Sequence, residues 1–280
     1  MKLSFHSFGY GSYLPWVPSY TLEEAARRIS ALGYDGIEIG AKRPHAWPPD
    51  LDEKRRKELK AQIDSCGLEV SAICPSSYNF NLASCVENER KDSLKYYRDC
   101  VQLAADFGAS VVVVVPGWIV FPTSYEQAWE WSKQGLKDAI ELAEDAGVTL
   151  ALEPINSYWV DLVTRTDHAL KMMKELNSKS VKVMLDTQHI FLERENSVDA
   201  VKKCGKNLVH VHCEDAVSAS DRRFVPGEGE FGFESFVKAL HEIGYKGHLS
   251  VEHWGPNIDQ IALKSKEYLD DLIKRVTSSS

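Results

Sequence analysis

Apolar and polar positions along this chain fall into a recurring block pattern. A helix-like stretch ends at a residue suited to a left-handed backbone, and an apolar run of strand length follows at once. Most of these residues are glycines, and one is an asparagine, the best non-glycine choice for this conformation. They are Gly33, Gly67, Gly108, Gly147, Asn177, Gly205 and Gly244. Together with the opening run KLSFHSF, the pattern predicts eight strands.

The stretches between the apolar runs carry helix signals. Thr21 to Glu24 and Ser124 to Gln127 have the spacing of capping boxes. Runs such as VVVVV and VTLAL are continuously apolar, as in parallel strands that are covered on both faces. Eight alternating β and α units form a closed barrel or a doubly wound sheet, and no GxGxxG motif follows the first strand. The sequence therefore predicts an α/β protein with a single (β/α)8 TIM barrel domain over residues 1–280, whose last residues, about 276–280, form a frayed tail.

Composition narrows the classes of function. Hydrophobic residues make up 44% and charged residues 26% of the chain, as in ordinary soluble globular proteins. No apolar run approaches the roughly 18 residues of a membrane span, and the N-terminus lacks the pattern of a signal peptide, so we expect a cytoplasmic protein without a membrane partner. The net charge of −8 and the scattered basic residues disfavour a nucleic-acid partner. Six cysteines show no CxxC pairing, and disulfides are not expected.

Polar residues end four consecutive apolar runs, where barrel enzymes place their chemistry. The runs LALE, VMLD, HVH and LSVE end at Glu153, Asp186, His212 and Glu252. Three carboxylates brought together would repel one another, and desolvating them is costly unless a cation compensates. The sequence therefore predicts one divalent metal ion on these four residues. The ligand set suits Mn²⁺, with Mg²⁺, Co²⁺ and Zn²⁺ as alternatives. Taken singly, each carboxylate could instead pair with a barrel lysine or arginine.

The motifs resemble a known family. They are LEP at 152–154, D-x-x-H at 186–189, HVH at 210–212, PGEG at 226–229 and VEHW at 251–254. Their order and strand-end positions are similar to those of the xylose-isomerase-like barrels, the sugar phosphate isomerases and epimerases. The run GYDGIEI, followed by RPHAW and PPDL, is most similar to the D-tagatose and fructoselysine 3-epimerase branch.

The resemblance implies a role for each matching residue. It makes Glu153 and Glu252 the two catalytic acid/bases as well as metal ligands, with a carbohydrate as the small-molecule substrate. It makes His189 and Arg223 substrate-binding residues. His45 would contact the substrate from the loop after the second strand, although a packing role is equally open. Apolar walls for the sugar are expected from Trp118 and Trp159, with core packing as the alternative.

The implied reaction is proton abstraction next to a carbonyl through a metal-stabilised enediolate, which leads to 3-epimerisation of a ketose or a ketose adduct. One position departs from the epimerase pattern: Trp159 stands where those enzymes carry a glutamate, which favours a larger substrate. The alternative function is the catalytic subunit of a C-glycoside deglycosidase, which cleaves a 3-oxo-glycoside and works with a small partner subunit. A keto-inositol dehydratase is a further option, and a homo-oligomer is compatible with either enzyme.

Two other classes fit less well. A barrel-type apurinic endonuclease would need histidine ligands from the early strands and a basic face, but the third strand ends at Cys74 and Pro75 and the fourth at Pro116. A non-catalytic binding barrel would have no reason to retain both Glu153 and Glu252. The sequence therefore favours an enzyme.

Overall fold

A computed structural model describes residues 1–11, 19–218 and 220–278. These residues form ten strands and nine α-helices. The strands are β1 Lys2–His6, β2 Gly36–Ala41, β3 Glu69–Pro75, β4 Val111–Val114, β5 Thr149–Leu152, β6 Val181–Asp186, β7 Leu208–His212, β8 Asp215–Val217, β9 Ser220–Phe224 and β10 His248–Val251. The helices are α1 Leu22–Ala31, α2 Glu53–Ser65, α3 Glu87–Phe107, α4 Tyr125–Ala146, α5 Thr166–Leu176, α6 Thr187–Leu192, α7 Ser197–Cys204, α8 Phe233–Glu242 and α9 Ile258–Ser278.

Eight of the strands close into a parallel barrel in the order β1-β10-β7-β6-β5-β4-β3-β2. Ser4 of β1 is level with Ser250 of β10, which is level with His212 of β7. His212 is in turn level with Asp186 of β6. This arrangement confirms the predicted (β/α)8 barrel, and it brings the carboxyl ends of consecutive strands to one face.

The predicted turn residues have the expected backbone. All six glycines and Asn177 have positive φ angles, between 49° and 80°. The Thr21 hydroxyl accepts a hydrogen bond from the Glu24 N–H at the start of α1, and Ser124 does the same for Gln127 at the start of α4. Glycine and asparagine tolerate a positive φ with little strain, so these helices stop and the chain turns into the next strand, after a short 3-10 turn at Gly205–Asn207 in the case of α7.

The interior of the barrel is apolar on one side and polar on the other. Next to β3 through β6 it is apolar, and a small core cluster packs there, formed by Ala72, Val111, Val113, Ala151 and Met184. Next to β1, β2, β7 and β10 it is polar, with the buried residues Ser4, Glu38, His210 and Ser250. Because successive side chains along a strand point to opposite faces, the residue two positions after each of these interior residues also points inward. It lies closer to the mouth of the barrel. Glu153, Asp186, His212 and Glu252 occupy such positions.

Three features were not predicted. β8 and β9 form an antiparallel hairpin between β7 and α8, and the Asp215 carboxylate anchors it by accepting hydrogen bonds from the N–H groups of Ala216, Gly227 and Phe231. The segment between β6 and β7 holds two short helices, α6 and α7. The last helix extends through Ser278, and the final two residues of the predicted frayed tail lie outside the described residues. Within the described ranges, none of the helices combines the length and apolarity needed to span a bilayer.

Candidate metal centre and active site

The four predicted ligands converge at the mouth of the barrel. One donor atom from each of Glu153, Asp186, His212 and Glu252 lies within 4.8 Å of the others. His212 is at the centre of the group, because its Nδ1 atom is 3.1 Å from Glu252 Oε2, 3.4 Å from Glu153 Oε1 and 3.8 Å from Asp186 Oδ2. Nδ1 makes no hydrogen bond with any residue that the structure describes. A buried lone-pair donor surrounded by carboxylate oxygens needs a proton or a cation between them.

A carboxylate on β2 sets the tautomer of His212. The Nε2 atom of His212 is 2.9 Å from Glu38 Oε1, and Nε2 of His210 is 2.8 Å from the second oxygen, Glu38 Oε2. Burial opposes ionisation of Glu38, but His212 and His210 outweigh it and hold the pKa of Glu38 well below its usual range. The carboxylate therefore accepts from Nε2–H on both imidazoles. This arrangement directs the Nδ1 lone pair of His212 at the three carboxylates, as metal-binding histidines require.

The D-x-x-H spacing on β6 and α6 has a local structural cause. Asp186 is the N-cap of α6, and its Oδ1 atom accepts a 2.8 Å hydrogen bond from the His189 N–H. The other oxygen, Oδ2, faces His212 Nδ1, and one side chain thus caps a helix and joins the cluster. The same turn places His189 Nε2 3.7 Å from Asp186 Oδ2.

Asn156 orients His189 and was not singled out from the sequence. Its fully buried amide nitrogen lies 2.8 Å from His189 Nδ1, while its carbonyl oxygen accepts from the Tyr158 N–H. With Nδ1 accepting from the amide, His189 carries its proton on Nε2, on the side of the carboxylates and the cavity. His189 can therefore donate to a substrate oxygen. The sequence could have drawn attention to Asn156, because it ends the run LEPIN three residues after Glu153.

Arg223 enters the cluster from the hairpin. Its side chain is only 9% exposed and donates to Asp186 Oδ2 at 3.2 Å, while its NH2 group is 3.0 Å from Glu252 Oε2. It also contacts Glu214, a fully buried carboxylate that sequence reasoning missed. Burial and the neighbouring charge of Asp186 raise the pKa of Glu214 well above its usual range, although Arg223 opposes this effect. Side chains that point inward recur at every second residue, so Glu214, two residues after His212, could have been predicted to point inward.

A cavity of about 760 Å³ opens above the cluster. It is lined by the predicted residues Glu153, His189, His212, Arg223 and Glu252, and by seven aromatic side chains. These are Phe8, Trp47, Tyr78, Tyr97, Trp118, Trp159 and Trp254. Trp159 is half exposed at the mouth, and its ring centroid lies 5.6 Å from that of Tyr78. A second cavity of about 590 Å³ lies beside α6 and α7 and is lined by none of the predicted site residues.

His45 is placed outside this cavity. Both of its ring nitrogens already face protein atoms, with Nδ1 3.1 Å from the Ser7 hydroxyl and Nε2 3.1 Å from the Tyr20 carbonyl oxygen. A Cβ atom on Gly11 would meet the imidazole at 2.4 Å, so the ring is also tightly packed. The structure places His45 in neither the ligand cluster nor the cavity wall, and its contacts favour the packing role that the sequence left open.

His6, at the end of β1, lines the cavity instead. Its Nδ1 accepts a 2.9 Å hydrogen bond from the Phe8 N–H, and its buried Nε2 has no hydrogen-bond partner among the described residues. Burial lowers the pKa of His6 to about 4, so the ring is neutral at pH 7 and carries a free N–H on Nε2. His6 was not singled out from the sequence, where a histidine at a strand end gives no indication of which way its ring turns.

The donor set fits a single divalent ion. The three carboxylate oxygens and one imidazole nitrogen suit a borderline-hard cation. Two neighbouring groups also combine acidic and histidine or cysteine donors, one of His6, Glu38 and Cys74 and one of Glu38, His210 and His212. Both depend on Glu38, whose two oxygens already accept hydrogen bonds from the histidines of β7. Glu38 is therefore committed to orienting His212.

Comparison with known proteins agrees with this architecture. A family model described as a xylose isomerase-like TIM barrel matches residues 26–274. The fructoselysine 3-epimerase of Shigella flexneri is 29% identical over 233 residues, which cover 82% of this chain and 84% of that protein. The 3-dehydro-D-guloside 4-epimerase of Escherichia coli strain K12 is 26% identical over 238 residues, which cover 82% of this chain and 86% of that protein.

A solved structure gives the same result for the whole fold. The crystal structure of a D-tagatose 3-epimerase-like protein superposes with a TM-score of 0.86 at 26% sequence identity, covering 100% of this chain and 99% of that one. The matched region spans the barrel and all four converging ligands. The chain therefore belongs to the xylose isomerase-like TIM barrel family, within the branch that contains the fructoselysine and tagatose-type 3-epimerases.

Proposed function

We propose that this protein is a divalent-metal-dependent sugar epimerase that moves a proton next to a carbonyl through an enediolate. The substrate is a ketose or a ketose adduct, and the product is its 3-epimer. The observation that carries the proposal is the convergence of Glu153 and Glu252 on the unpartnered Nδ1 of His212. The relatives reported above are named as epimerases of sugars or sugar derivatives, which supports the same class of reaction.

The residues divide the chemistry among them. A divalent ion, Mn²⁺ in our proposal, supplies a Lewis acid that stabilises the negative charge developing on the substrate. Glu153, from β5, and Glu252, from β10, stand at strands three positions apart in the ring and serve as the two acid/bases. One removes the proton beside the carbonyl, and the other returns a proton to the opposite face of the same carbon. The result is inversion of that centre.

The neighbouring side chains position the substrate. His189 presents its Nε2–H beside the carboxylates and donates to a substrate hydroxyl. Arg223, already beside Asp186 and Glu252, holds a second oxygen and helps to compensate the charge of the group. Trp118 and Trp159 form part of the apolar wall on which a sugar or its substituent can pack.

The size of the cavity favours a substrate larger than a free ketose. About 760 Å³ lies in the upper part of the roughly 300–1,000 Å³ range of sites for drug-sized ligands. The paired rings of Tyr78 and Trp159 lie at its outer end, on the loops after β3 and β5. A substituent attached to the sugar can pack on this pair while the carbonyl carbon remains between the two catalytic glutamates. A ketose adduct therefore fits the cavity better than a bare hexose.

A second candidate reaction is supported by one specific observation. The relative named 3-dehydro-D-guloside 4-epimerase acts, by its name, on an oxidised glycoside. Removal of a proton beside the 3-oxo group of such a glycoside can be followed by loss of the aglycone instead of reprotonation. This elimination is the chemistry of a C-glycoside deglycosidase subunit, and the aromatic pair would then hold the aglycone. Product analysis separates an epimer from a released aglycone.

The test is solvent exchange combined with metal-replete variants. A two-base inversion cannot return the same proton, so turnover of the substrate in D₂O should incorporate deuterium at the inverted carbon. Glu252→Gln retains an amide oxygen as a potential ligand but removes the base, and it should reduce kcat by about 10²–10⁴-fold. Glu153→Gln should behave similarly.

Metal content has to be measured in each variant because both glutamates are also ligands. Glu87→Gln on α3, whose exposed carboxylate pairs with Lys91, is the matched control and should retain full activity. Metal-replete Glu252→Gln protein with wild-type turnover would contradict the two-base proposal. Inversion without deuterium incorporation would also contradict it.

A further inference from the structure

Lys42 stands directly after β2, and its side chain lines the cavity. Its ammonium nitrogen lies 3.0 Å from the centre of the Phe8 ring. Within residues 1–11, 19–218 and 220–278, it has no carboxylate partner and no hydrogen-bond acceptor. The ring face satisfies one side of the cation, whereas an ammonium group has three donors. Lys42 therefore retains donors for a ligand.

The other basic side chains of the cavity are already paired. Arg223 contacts Glu214 and is within 3.2 Å of carboxylate oxygens on two of the metal ligands. Arg43 forms two hydrogen bonds with Asp50, at 2.5 and 2.6 Å. Among the described lysines and arginines that line the cavity, Lys42 is thus the one without an acidic partner.

The setting of Lys42 disfavours its charge when no ligand is present. Burial lowers the pKa of Lys42 to about 8, even though the charge of Glu252 acts in the opposite direction. The group is still largely protonated at pH 7, so it is a cation that lacks compensation. A negatively charged ligand would compensate it, and charge-assisted hydrogen bonds are about twice as strong as neutral ones.

The position of Lys42 in the ring separates it from the ligand-bearing strands on the far side. β2 is next to β1 and β3, whereas Glu153 and Asp186 come from β5 and β6. Around His212 the carboxylates of Glu153, Asp186 and Glu252 balance Arg223 and a divalent ion, so that end of the cavity has no net positive charge to offer. An anionic group is therefore compensated best on the β2 side, where Lys42 lies. The reacting carbonyl and a charged substituent can then occupy different ends of the same cavity.

We propose that Lys42 is a specificity-determining residue that binds an anionic substituent of the substrate, a phosphate or a carboxylate. The enzyme would then act on an acidic ketose derivative in preference to a neutral ketose. The inference rests on the proposed function, because that function places the carbonyl at Glu153 and Glu252.

Binding of non-reactive analogues tests this inference independently of turnover. The probes are sorbitol 6-phosphate, gluconate and sorbitol, which have no ketone and cannot be epimerised, and their Kd values are measured by calorimetry on metal-loaded protein. Wild-type protein should bind at least one of the anions about tenfold or more tightly than sorbitol. The anion that shows the advantage identifies phosphate or carboxylate as the recognised group.

The variants assign the effect to the lysine. Lys42→Met keeps the length of the side chain and removes its charge, so the ratio of sorbitol to anion Kd should fall to about one, whereas Lys42→Arg should retain most of the ratio. Lys54→Met, on the outside of α2 with its side chain 85% exposed, is the matched control. Equal affinity of the wild type for anions and sorbitol, or an unchanged ratio in Lys42→Met, would overturn the proposal. Absence of deuterium exchange with every ketose would instead refute the proposed reaction, and the binding ratios would still decide the role of Lys42.

Discussion

Replacement of Glu38 by glutamine tests the coupling between the barrel interior and the metal centre. The carboxylate accepts one hydrogen bond on each oxygen, from His212 Nε2 at 2.9 Å and from His210 Nε2 at 2.8 Å. The amide in Glu38→Gln has a similar shape, but it offers one acceptor oxygen and one NH₂ donor. One of the two histidines must then face a donor with its own N–H, and the two cannot both keep their present tautomers.

The effect of the substitution depends on which histidine N–H faces the new NH₂ group. If it is His212, the proton moves from Nε2 to Nδ1, and Nδ1 can no longer bind an ion. If it is His210, a buried N–H loses its acceptor at a cost of about 1–3 kcal/mol. Changing the partner that orients a metal-binding histidine typically weakens metal affinity about 10–100-fold, which corresponds to about 1.4–2.7 kcal/mol. We expect Glu38→Gln to raise the Kd for Mn²⁺ by that factor.

Calorimetric titration of Mn²⁺ into metal-free protein measures the effect. Glu69→Gln is the matched control, because its half-exposed carboxylate pairs with Lys2 at the opposite end of the barrel strands. Circular dichroism checks that both variants are folded. A Kd for Glu38→Gln within twofold of the wild-type value, in folded protein, would refute the tautomer argument, and so would an equal change in Glu69→Gln.

Three further outcomes are expected. Burial opposes protonation of His212, but Glu38 and Glu252 outweigh this effect and raise the pKa of His212 well above the usual range. Binding of Mn²⁺ at pH 7 should therefore release about one proton, and the affinity for Mn²⁺ should fall as the pH falls. Calorimetry in buffers of different ionisation enthalpy measures the number of protons released, and a number of zero would contradict the prediction. Asn156→Leu removes the amide that fixes His189 and should raise KM roughly tenfold with metal content unchanged; equal KM values would show that the amide is dispensable. Gly227→Ala should lower the free energy of unfolding by about 1–3 kcal/mol, because the φ angle of Gly227 is +91° and the new Cβ would meet the Tyr268 ring at 2.5 Å. Denaturant unfolding measures this free energy, and a value equal to that of the wild type would refute the prediction.

The fold could be predicted because its signals are local. A left-handed residue followed by an apolar run marks each junction between a helix and a strand, and the chain repeats that signal around the whole barrel. The hairpin of β8 and β9 could not be predicted in the same way. Its second strand reads SDRRF, with no apolar alternation, and the Asp215 carboxylate at the start of the hairpin accepts hydrogen bonds from Gly227 and Phe231 in the segment that follows it.

The convergence of the four candidate ligands could be predicted because each ends an apolar strand, where burying a carboxylate is costly unless a cation or hydrogen-bond donors compensate its charge. Histidines were harder to place. His6 ends β1 and His45 follows β2, and the sequence does not show which of the two reaches the cavity. In the structure, Gly11 packs against the ring of His45, whereas the Phe8 N–H holds the ring of His6 at the cavity wall. Glu214 was missed because it lies beyond the last apolar residue of β7, although it continues the inward alternation.

The charges around His212 determine how a substrate can enter. Three carboxylates face its Nδ1 atom, those of Glu153, Asp186 and Glu252, whereas Glu214 contacts Arg223 and its raised pKa favours the neutral form. Arg223 supplies one positive charge to this group, and a divalent ion would balance the remaining two negative charges. The metal-loaded centre then has no net positive charge to attract an anionic part of a substrate. We therefore expect a substrate with a phosphate or carboxylate to turn that group toward the cation that follows β2, Lys42. Under the proposed function, this orientation would decide which face of the reacting carbon meets Glu153 and which meets Glu252, so the stereochemistry of the reaction would follow from the distribution of charge in the cavity.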